Sequence, residues 1–528
     1  MNRKGTDEAI PAVWLVAGLA WLAAALASVG LGAPSLWIDE THSWEFSCLP
    51  SAWLVILNAA ARDAYPPLYF LLLHFWMMLG TGEAWLRTLS VLFHVAAVPV
   101  AFLVGARLVS RPAGLLAAAL LAVSPFHLAF AREVRMYSMV ELLSLLSVWG
   151  LLKWVQDGSR AGWRVFVLAG IALIYTQFMG ALLLLAEALF LFGERKRPGV
   201  WAGTRKWILA TVLCFLPWSP FFLKAALVTR GYGVDASIPE LAYYFLGVTG
   251  AGFGAARWVL SVSMALLAVL VWAGYEALPR GSARRLLAWW AFLPPVLEMV
   301  SGLLGKSVFG ERTLIGSTPA LLILVASAVS SFPRGRAVLS SACLGALAGF
   351  GFAHLQGYIL PTAPHNREAV ALVMAHARSG DVILHSSTVT YHPVHEYYLP
   401  LSATRMGDYM LEPPAAFRGG RLGNMFREAW RRARASLDPR GVLKTGADPH
   451  RISEDAFTGI KFRRVWYFRE TPVGLRRLWL IVPANFYRAG DPRFRDVPMS
   501  VHRQLDRELS RAGQWEFPGL SVELYERM

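Results

Sequence analysis

The feature that most constrains this chain is an alternation of apolar runs with short clusters of arginine and lysine. The first run, "PAVWLVAGLAWLAAALASVGLG" (11–32), reaches the roughly 20 residues that a helix needs to cross a hydrocarbon core. It is longer than the apolar core of a cleavable signal, about 7–15 residues, and no small-residue cleavage site follows it, so the sequence predicts a retained span. Basic clusters recur at "MNRK" (1–4), Arg107 and Arg111, Lys153 with Arg160 and Arg164, "ERKRP…TRK" (194–206), "PRGSARR" (279–285) and "PRGR" (333–336). The positive-inside bias assigns all of them to the cytoplasm, and the intervening apolar runs must then pair.

The pairing works if the run from Arg164 to Arg195 breaks near "YTQFMG" (175–180) into two short crossings. It also requires "PPLYFLLLHFWMMLG" (66–80) to lie at the outer interface rather than cross, because a fifteenth-residue helix end lies only about 22 Å from its start. On this scheme the first outer loop covers 33–83, a second turns at "AREVRMY" (131–137), and later loops cover 226–254 and 305–312. A last span at about 337–360 puts the remainder outside. The expectation is a polytopic α-helical membrane protein of about 11 spans, with a membrane module over 1–360 and a soluble extracytoplasmic α/β domain over 361–528. In that domain "GDVILHSSTV" and "RLWLIVPANF" read as buried strands. "REAVALVMAHAR" reads as an amphipathic helix, and "FREAWRRARASL" as a basic one.

Composition agrees with a chain solvated largely by lipid. It is 55% hydrophobic and 16% charged, against about 45–50% and about 25% in soluble domains. Its 51 Lys+Arg against 35 Asp+Glu give a net charge of +16, spread between spans, which suits anionic membrane lipids and not nucleic acid. The three cysteines, Cys48, Cys214 and Cys343, form neither a disulfide framework nor a metal-ligand spacing.

With this orientation the unusual polar residues collect on the outer face. They include Asp39, Glu40, His42, Arg62, Asp63 and Tyr65 in the first loop, and Arg132, Glu133, Arg135 and Tyr137 in the second. Tyr175 and Gln177 stand at the hairpin break, and Asp235, Lys306, Glu311 and Arg312 in later loops. Ionisable groups at membrane depth are costly, so they pair with something or act on something. Arginine forks fit phosphate oxygens and carboxylates can accept a proton from a hydroxyl. Aromatic faces suit sugar rings, so this face suggests a phosphorylated, sugar-like ligand presented at the membrane surface.

The order "WIDE" (37–40), "DAYPPLYF" (63–70), "EAWLRTLS" (83–90), "SPFHLAFAREVRMYS" (124–138) and "FGERTLIGSTPA" (309–320) resembles the polyprenyl-phosphate-sugar-dependent glycosyltransferases. These share the GT-C membrane fold and include the protein O-mannosyltransferases and the aminoarabinose transferase of lipid A. The likeness extends over about 30–330. It implies a polyprenyl-phosphate-linked sugar donor and a hydroxyl acceptor on a protein, lipid or glycan, in the cell (inner or plasma) membrane. It implies Asp39 as catalytic base with Glu40 beside it, Glu133 as a second acidic position, and Arg312 on the lipid phosphate. Three positions depart from the family's pattern: Tyr65 before the Pro-Pro pair, Gln177 at the hairpin break, and Thr313 in the late segment. The first two remove two plausible ligands, so no metal residue is assigned and no cofactor is required by the sequence.

The residues themselves keep other readings open. Asp39 and Glu40 could be solvated acids at a span end, and Glu133 could pair locally with Arg132 or Arg135. Those two arginines and Arg312 could be interfacial anchors, although arginines on an outer turn run against the positive-inside bias and suit phosphate. Arg87, one turn into its span, reads as a structural or lipid-contact group that could also reach the substrate. Tyr137, Tyr65 and Gln177 are placed with the substrate-binding set. His42, His74, His94 and His127 read as satisfied interfacial or core groups. A transporter or flippase of a lipid-linked or anionic substrate is the rival class, but it would place charges near the midplane within inverted repeats. A non-catalytic sensor anchored by its spans is a third, and would not need a charged first loop.

Overall fold

The computed structural model describes residues 9–61, 65–228, 238–252, 256–303 and 311–331. In the C-terminal stretch it describes 365–376, 381–385, 476–483, 509–517, 520–527 and a few residues between them. Arg62, Asp63, Asp235, Lys306, the expected span at 337–360 and the basic segment 426–437 lie outside the described residues.

The chain divides into two compact units. One comprises Met1–Leu31 with Ser51–Ile359, the other Gly32–Pro50 with Leu360–Met528. Residues 32–50, read above as the start of the first loop, therefore pack with the C-terminal stretch.

The first unit is helical. Its α1 (Ala9–Ser28) is apolar on all sides; α2 (Ile38–Ser47) belongs to the other unit, and α3 (Ala52–Ala61) and α4 (Leu68–Met77) follow. At ten residues, α4 is about 15 Å long, half of a bilayer core. It is fastened to α5 (Glu83–Leu108) by two tryptophans. The Trp76 indole N–H donates to the Trp85 carbonyl at 2.8 Å, Trp85 donates back at 3.1 Å, and the rings stack at 4.5 Å.

The next helices are α6 (Arg111–Val123), α7 (Pro125–Ala131), α8 (Tyr137–Asp157), α9 (Arg160–Thr176) and α10 (Gly180–Gly193). Serines start three of them. Ser110, Ser124 and Ser159 each accept the backbone N–H three residues on, supplying a partner that a helix N-terminus lacks. Proline after Ser124 bends α7 56° away from α6. Gly158, at φ 67°, closes α8 in the left-handed conformation that glycine adopts at least cost. The apolar run 160–193 breaks at 177–179, as expected.

Then come α11 (Val200–Phe215), α12 (Ser219–Val228), α13 (Ile238–Ala251), α14 (Arg257–Ala277), α15 (Ser282–Leu303) and α16 (Thr318–Ser331). The region 226–254, expected as a loop, thus holds the 14-residue helix α13. Its Phe245, Val248 and Ala251 are buried; an apolar stripe of that kind was hidden in a segment flanked by polar turns. Among the described residues four helical stretches are long and apolar enough to cross a membrane, and the bent α6–α7 pair would make a fifth.

Among its described residues the second unit carries α17 (Asn366–His376) and six strands: β1 (Val382–His385), β2 (Ser453–Glu454), β3 (Lys461–Arg464), β4 (Arg477–Pro483), β5 (Ser510–Phe517) and β6 (Leu520–Glu526). They form one sheet in the order β2-β3-β1-β4-β6-β5, with β1 parallel to both β3 and β4 and the remaining pairs antiparallel. Strand β4 is apolar on both faces because both are covered. Trp479 and Ile481 pack with Ala369, Val370 and Val373 of α17. Leu478, Leu480 and Val482 pack on the other face with Leu505 and Leu509.

Close helix packing in the first unit depends on small residues. A Cβ added to Gly150 in α8 would lie 2.5 Å from the Phe166 nitrogen of α9, whereas one added to Gly18 in α1 meets nothing within 4 Å. Gly150→Ala is therefore expected to cost about 1–3 kcal/mol and lower the melting temperature in detergent by a few degrees. Gly18→Ala should leave it unchanged or slightly raised.

Candidate functional site

The acidic pair sits in the first turn of α2, where carboxylates favour the positive end of the helix dipole. Glu40 is 1% exposed, and its Oε2 accepts the backbone N–H of Trp37 at 3.3 Å, capping its own helix. Asp39, one position earlier, is half-buried. Two neighbouring acids therefore have different surroundings. Ser43 and Thr41 hydroxyls donate to carbonyls of the same turn, and Trp44 meets Tyr397 edge-on at 5.4 Å.

What fixes this helix is α17, more than 300 positions away in sequence. The backbone N–H of Arg367 donates to Ser35 Oγ at 3.1 Å, so Ser35 caps α17 from outside. The Asn366 amide donates to the Leu36 carbonyl at 3.2 Å, and Arg367 donates to the Gly32 carbonyl at 3.1 Å. Nothing in the local sequence around Asp39 signals these partners.

In the first unit the turn 132–136 between α7 and α8 is largely buried and heavily bonded. Arg135 is 1% exposed. Its guanidinium lies 4.8 Å from the Tyr65 ring centroid and 5.6 Å from that of Tyr137. Its carbonyl accepts the Ser90 hydroxyl at 3.0 Å, and Ser90 in turn meets the Tyr69 hydroxyl at 3.2 Å. The structure thus brings Tyr65, Arg135 and Tyr137 together and adds Tyr69 and Ser90, which sequence reading passed over.

Arg132 is used differently. Its Nη1 donates to the carbonyls of Ala27 and Val29 at 2.8 and 2.6 Å, and its Nη2 to Gly30 at 3.3 Å. Arg87 donates to the next carbonyl, Leu31, at 2.8 Å. Together they satisfy the orphan carbonyls where α1 ends, which carry the negative end of its dipole. Burial, and then the charge of Arg87, push the Arg132 pKa down to about 10, so it remains a cation at neutral pH. Glu133 is half-buried beside it.

The remaining candidates come from other elements. Gln177 stands at the break between α9 and α10, is 6% exposed, and its Oε1 is buried with no partner among the described residues. Arg312 is exposed, in the short turn Glu311–Leu314. Its neighbour Thr313 donates to Glu298 Oε2 at 2.7 Å. Among the described residues no three His, Cys, Asp or Glu side chains are arranged to hold a metal ion.

Residues 64–223 match the family model for dolichyl-phosphate-mannose-protein mannosyltransferase. This stretch runs from α4 into α12 and contains the Arg132–Tyr137 turn. Over that stretch the chain is similar to a mannosyltransferase family, and its fold is that of the GT-C enzymes. No curated protein sequence matches it. Among solved structures it is similar to ArnT from Cupriavidus metallidurans in the apo state, at TM-score 0.57 and 12% identity over 98% of each chain. It is also similar to the same protein bound to undecaprenyl phosphate, at 0.56 and 13% over 97% of each chain. At that identity the likeness is one of fold. Asp39, Glu40 and Arg312 lie outside the stretch that the family model covers.

Two buried acids inside the helices of the first unit, Glu141 and Glu187, were not singled out from sequence, although an acid within an apolar span is itself a signal. Both are fully buried; Glu187 Oε1 accepts the Ser147 hydroxyl at 2.7 Å.

The contacts at α17 predict an observable change around the acids. Asn366→Ala removes the donor to Leu36, a loss of about 1 kcal/mol or more for a buried bond. Amide hydrogen exchange in α2 should then speed up several-fold, while exchange in α8 stays at its original rate.

Proposed function

We propose that this chain is a glycosyltransferase that takes its sugar from a polyprenyl-phosphate donor and passes it to an extracytoplasmic hydroxyl on a protein, lipid or glycan. The observation that carries this reading is the family match over 64–223, a stretch that includes a buried arginine held between two tyrosine rings. In this reading the N-terminus is cytoplasmic, the chain crosses the cell membrane about eleven times, and residues 361–528 lie outside.

Asp39 acts as the base: it removes the proton from the acceptor hydroxyl as the oxygen attacks the anomeric carbon. Its half-buried setting, against the fully enclosed Glu40, favours it over its neighbour for that task. The lipid phosphate leaves from the opposite side, so the product is inverted at that carbon. A phosphate is already a good leaving group, and arginines that offset its charge can stand in for a strong general acid. Arg135 and Arg312 are assigned to that phosphate, with Glu133, Tyr65, Tyr137 and Gln177 around the donor. Arg87 and Arg132 bind backbone carbonyls, which gives them the task of holding the end of α1, beside any contact with the substrate.

The test is release of lipid phosphate from radiolabelled polyprenyl-phosphate sugar by the purified full chain, with and without a membrane extract as acceptor source. Asp39→Asn should lower transfer by about 10²–10⁴-fold, the range for loss of a general base, with donor binding retained. Full activity in that variant, or vectorial movement of the lipid without cleavage, would overturn the assignment. Arg135→Gln should instead weaken binding of the donor phosphate.

A further inference from the structure

Glu141 lies one turn inside α8 and is fully buried, as are His94, His127 and Thr318 around it. His127 Nδ1 is 3.0 Å from Glu141 Oε2. His94 Nδ1 is 3.2 Å from Oε1 and 3.4 Å from Oε2. Thr318 Oγ1 stands 3.0 Å from His127 Nε2. His94 Nε2 has no partner among the described residues, so Glu141 is the polar anchor of that ring. One carboxylate thus joins four helices: α5 through His94, α7 through His127, α8 itself, and α16 through Thr318.

The placement along the chain gives this cluster a task. His127 is in the helix that leads into the 132–136 turn, and Glu141 in the helix that leads out. They are 14 positions apart, and their contact closes the turn at its base. On α5, His94 and Ser90 are four positions apart and share a helix face. The first grips the closing contact and the second holds the Arg135 carbonyl at 3.0 Å. The turn is therefore fixed at base and tip by one face of one helix.

We infer that Glu141, with His127 and His94, is a positioning residue that holds the 132–136 turn, and Arg135 with it, in the geometry that binds the donor's phosphate. This rests on the donor reading above. A carboxylate can accept from both imidazole N–H groups. A glutamine of the same shape sets its own N–H₂ against one of them, so Glu141→Gln loosens the clamp without emptying the space.

The experiment measures binding of undecaprenyl phosphate to the full chain in detergent, alongside thermal melting. Glu141→Gln should bind it about tenfold more weakly, the scale expected when a binding group is slightly misplaced. Glu187→Gln, a change to another fully buried acid, should bind as the unaltered chain does. Added to Arg135→Gln, the Glu141 change should weaken binding no further, because both act through one group. The inference is overturned if folded Glu141→Gln binds normally, if Glu187→Gln weakens binding equally, or if the double variant shows additive losses. Should Glu141→Gln fail to fold, Thr318→Val decides: about threefold weaker binding supports the clamp, and unchanged binding overturns it. An unaltered chain that neither binds undecaprenyl phosphate nor cleaves any polyprenyl-phosphate sugar overturns the donor reading and this inference together. Normal binding by the unaltered chain and by Glu141→Gln overturns only the inference.

Discussion

A charged side chain that leaves water for an apolar interior loses several kcal/mol of hydration, and attraction repays it only when the partners are close and well aimed. The first unit satisfies that condition repeatedly. Glu141 is met by two imidazoles, Arg132 and Arg87 by the carbonyls of residues 27–31, and Arg135 by two tyrosine rings. Each pairing also joins segments distant in sequence. Charge in this unit therefore works as a set of directional fasteners in a medium where apolar contact alone is poorly directional.

Within the first unit, Arg87 and Arg132 fasten the end of α1. The Leu31 carbonyl is held by Arg87, and the next carbonyl, Gly32, by Arg367. Adjacent residues are thus gripped by arginines of different units. The acidic helix begins six residues after Gly32, and Ser35 and Leu36 between them are bonded to the start of α17. Within the second unit these bonds tie the segment that carries the proposed base to the start of α17.

Much of the first unit was legible because lipid imposes a simple rule: apolar runs of sufficient length become helices, and basic clusters interrupt them. The break at 177–179, the short helix at 68–77 and the turn at 132–136 all followed from interruptions visible in the sequence. Helix α13 was missed because it lies in a stretch bounded by turn residues and polar groups, where loop signals outweigh a short apolar stripe. The partners of the acids were missed for another reason. Ser35, Leu36 and Gly32 meet Asn366 and Arg367 across some 330 positions, and one sequence contains no trace of such a pairing. The order of the quoted motifs did point to the family, since it depends on spacing rather than on contacts.

The arginines show where residue type stops being informative. Arg132 and Arg135 are three positions apart in one turn, both buried, and each fits the same expectation of phosphate binding. Arg132 presents its N–H edge to main-chain oxygens that would otherwise be orphaned at the end of α1. Arg135 lies over the ring faces of Tyr65 and Tyr137, where its charge is attracted by the ring quadrupoles. The two modes of burial therefore divide the labour within one turn: carbonyl contacts turn Arg132 into part of the scaffold, while the rings of Tyr65 and Tyr137 orient Arg135.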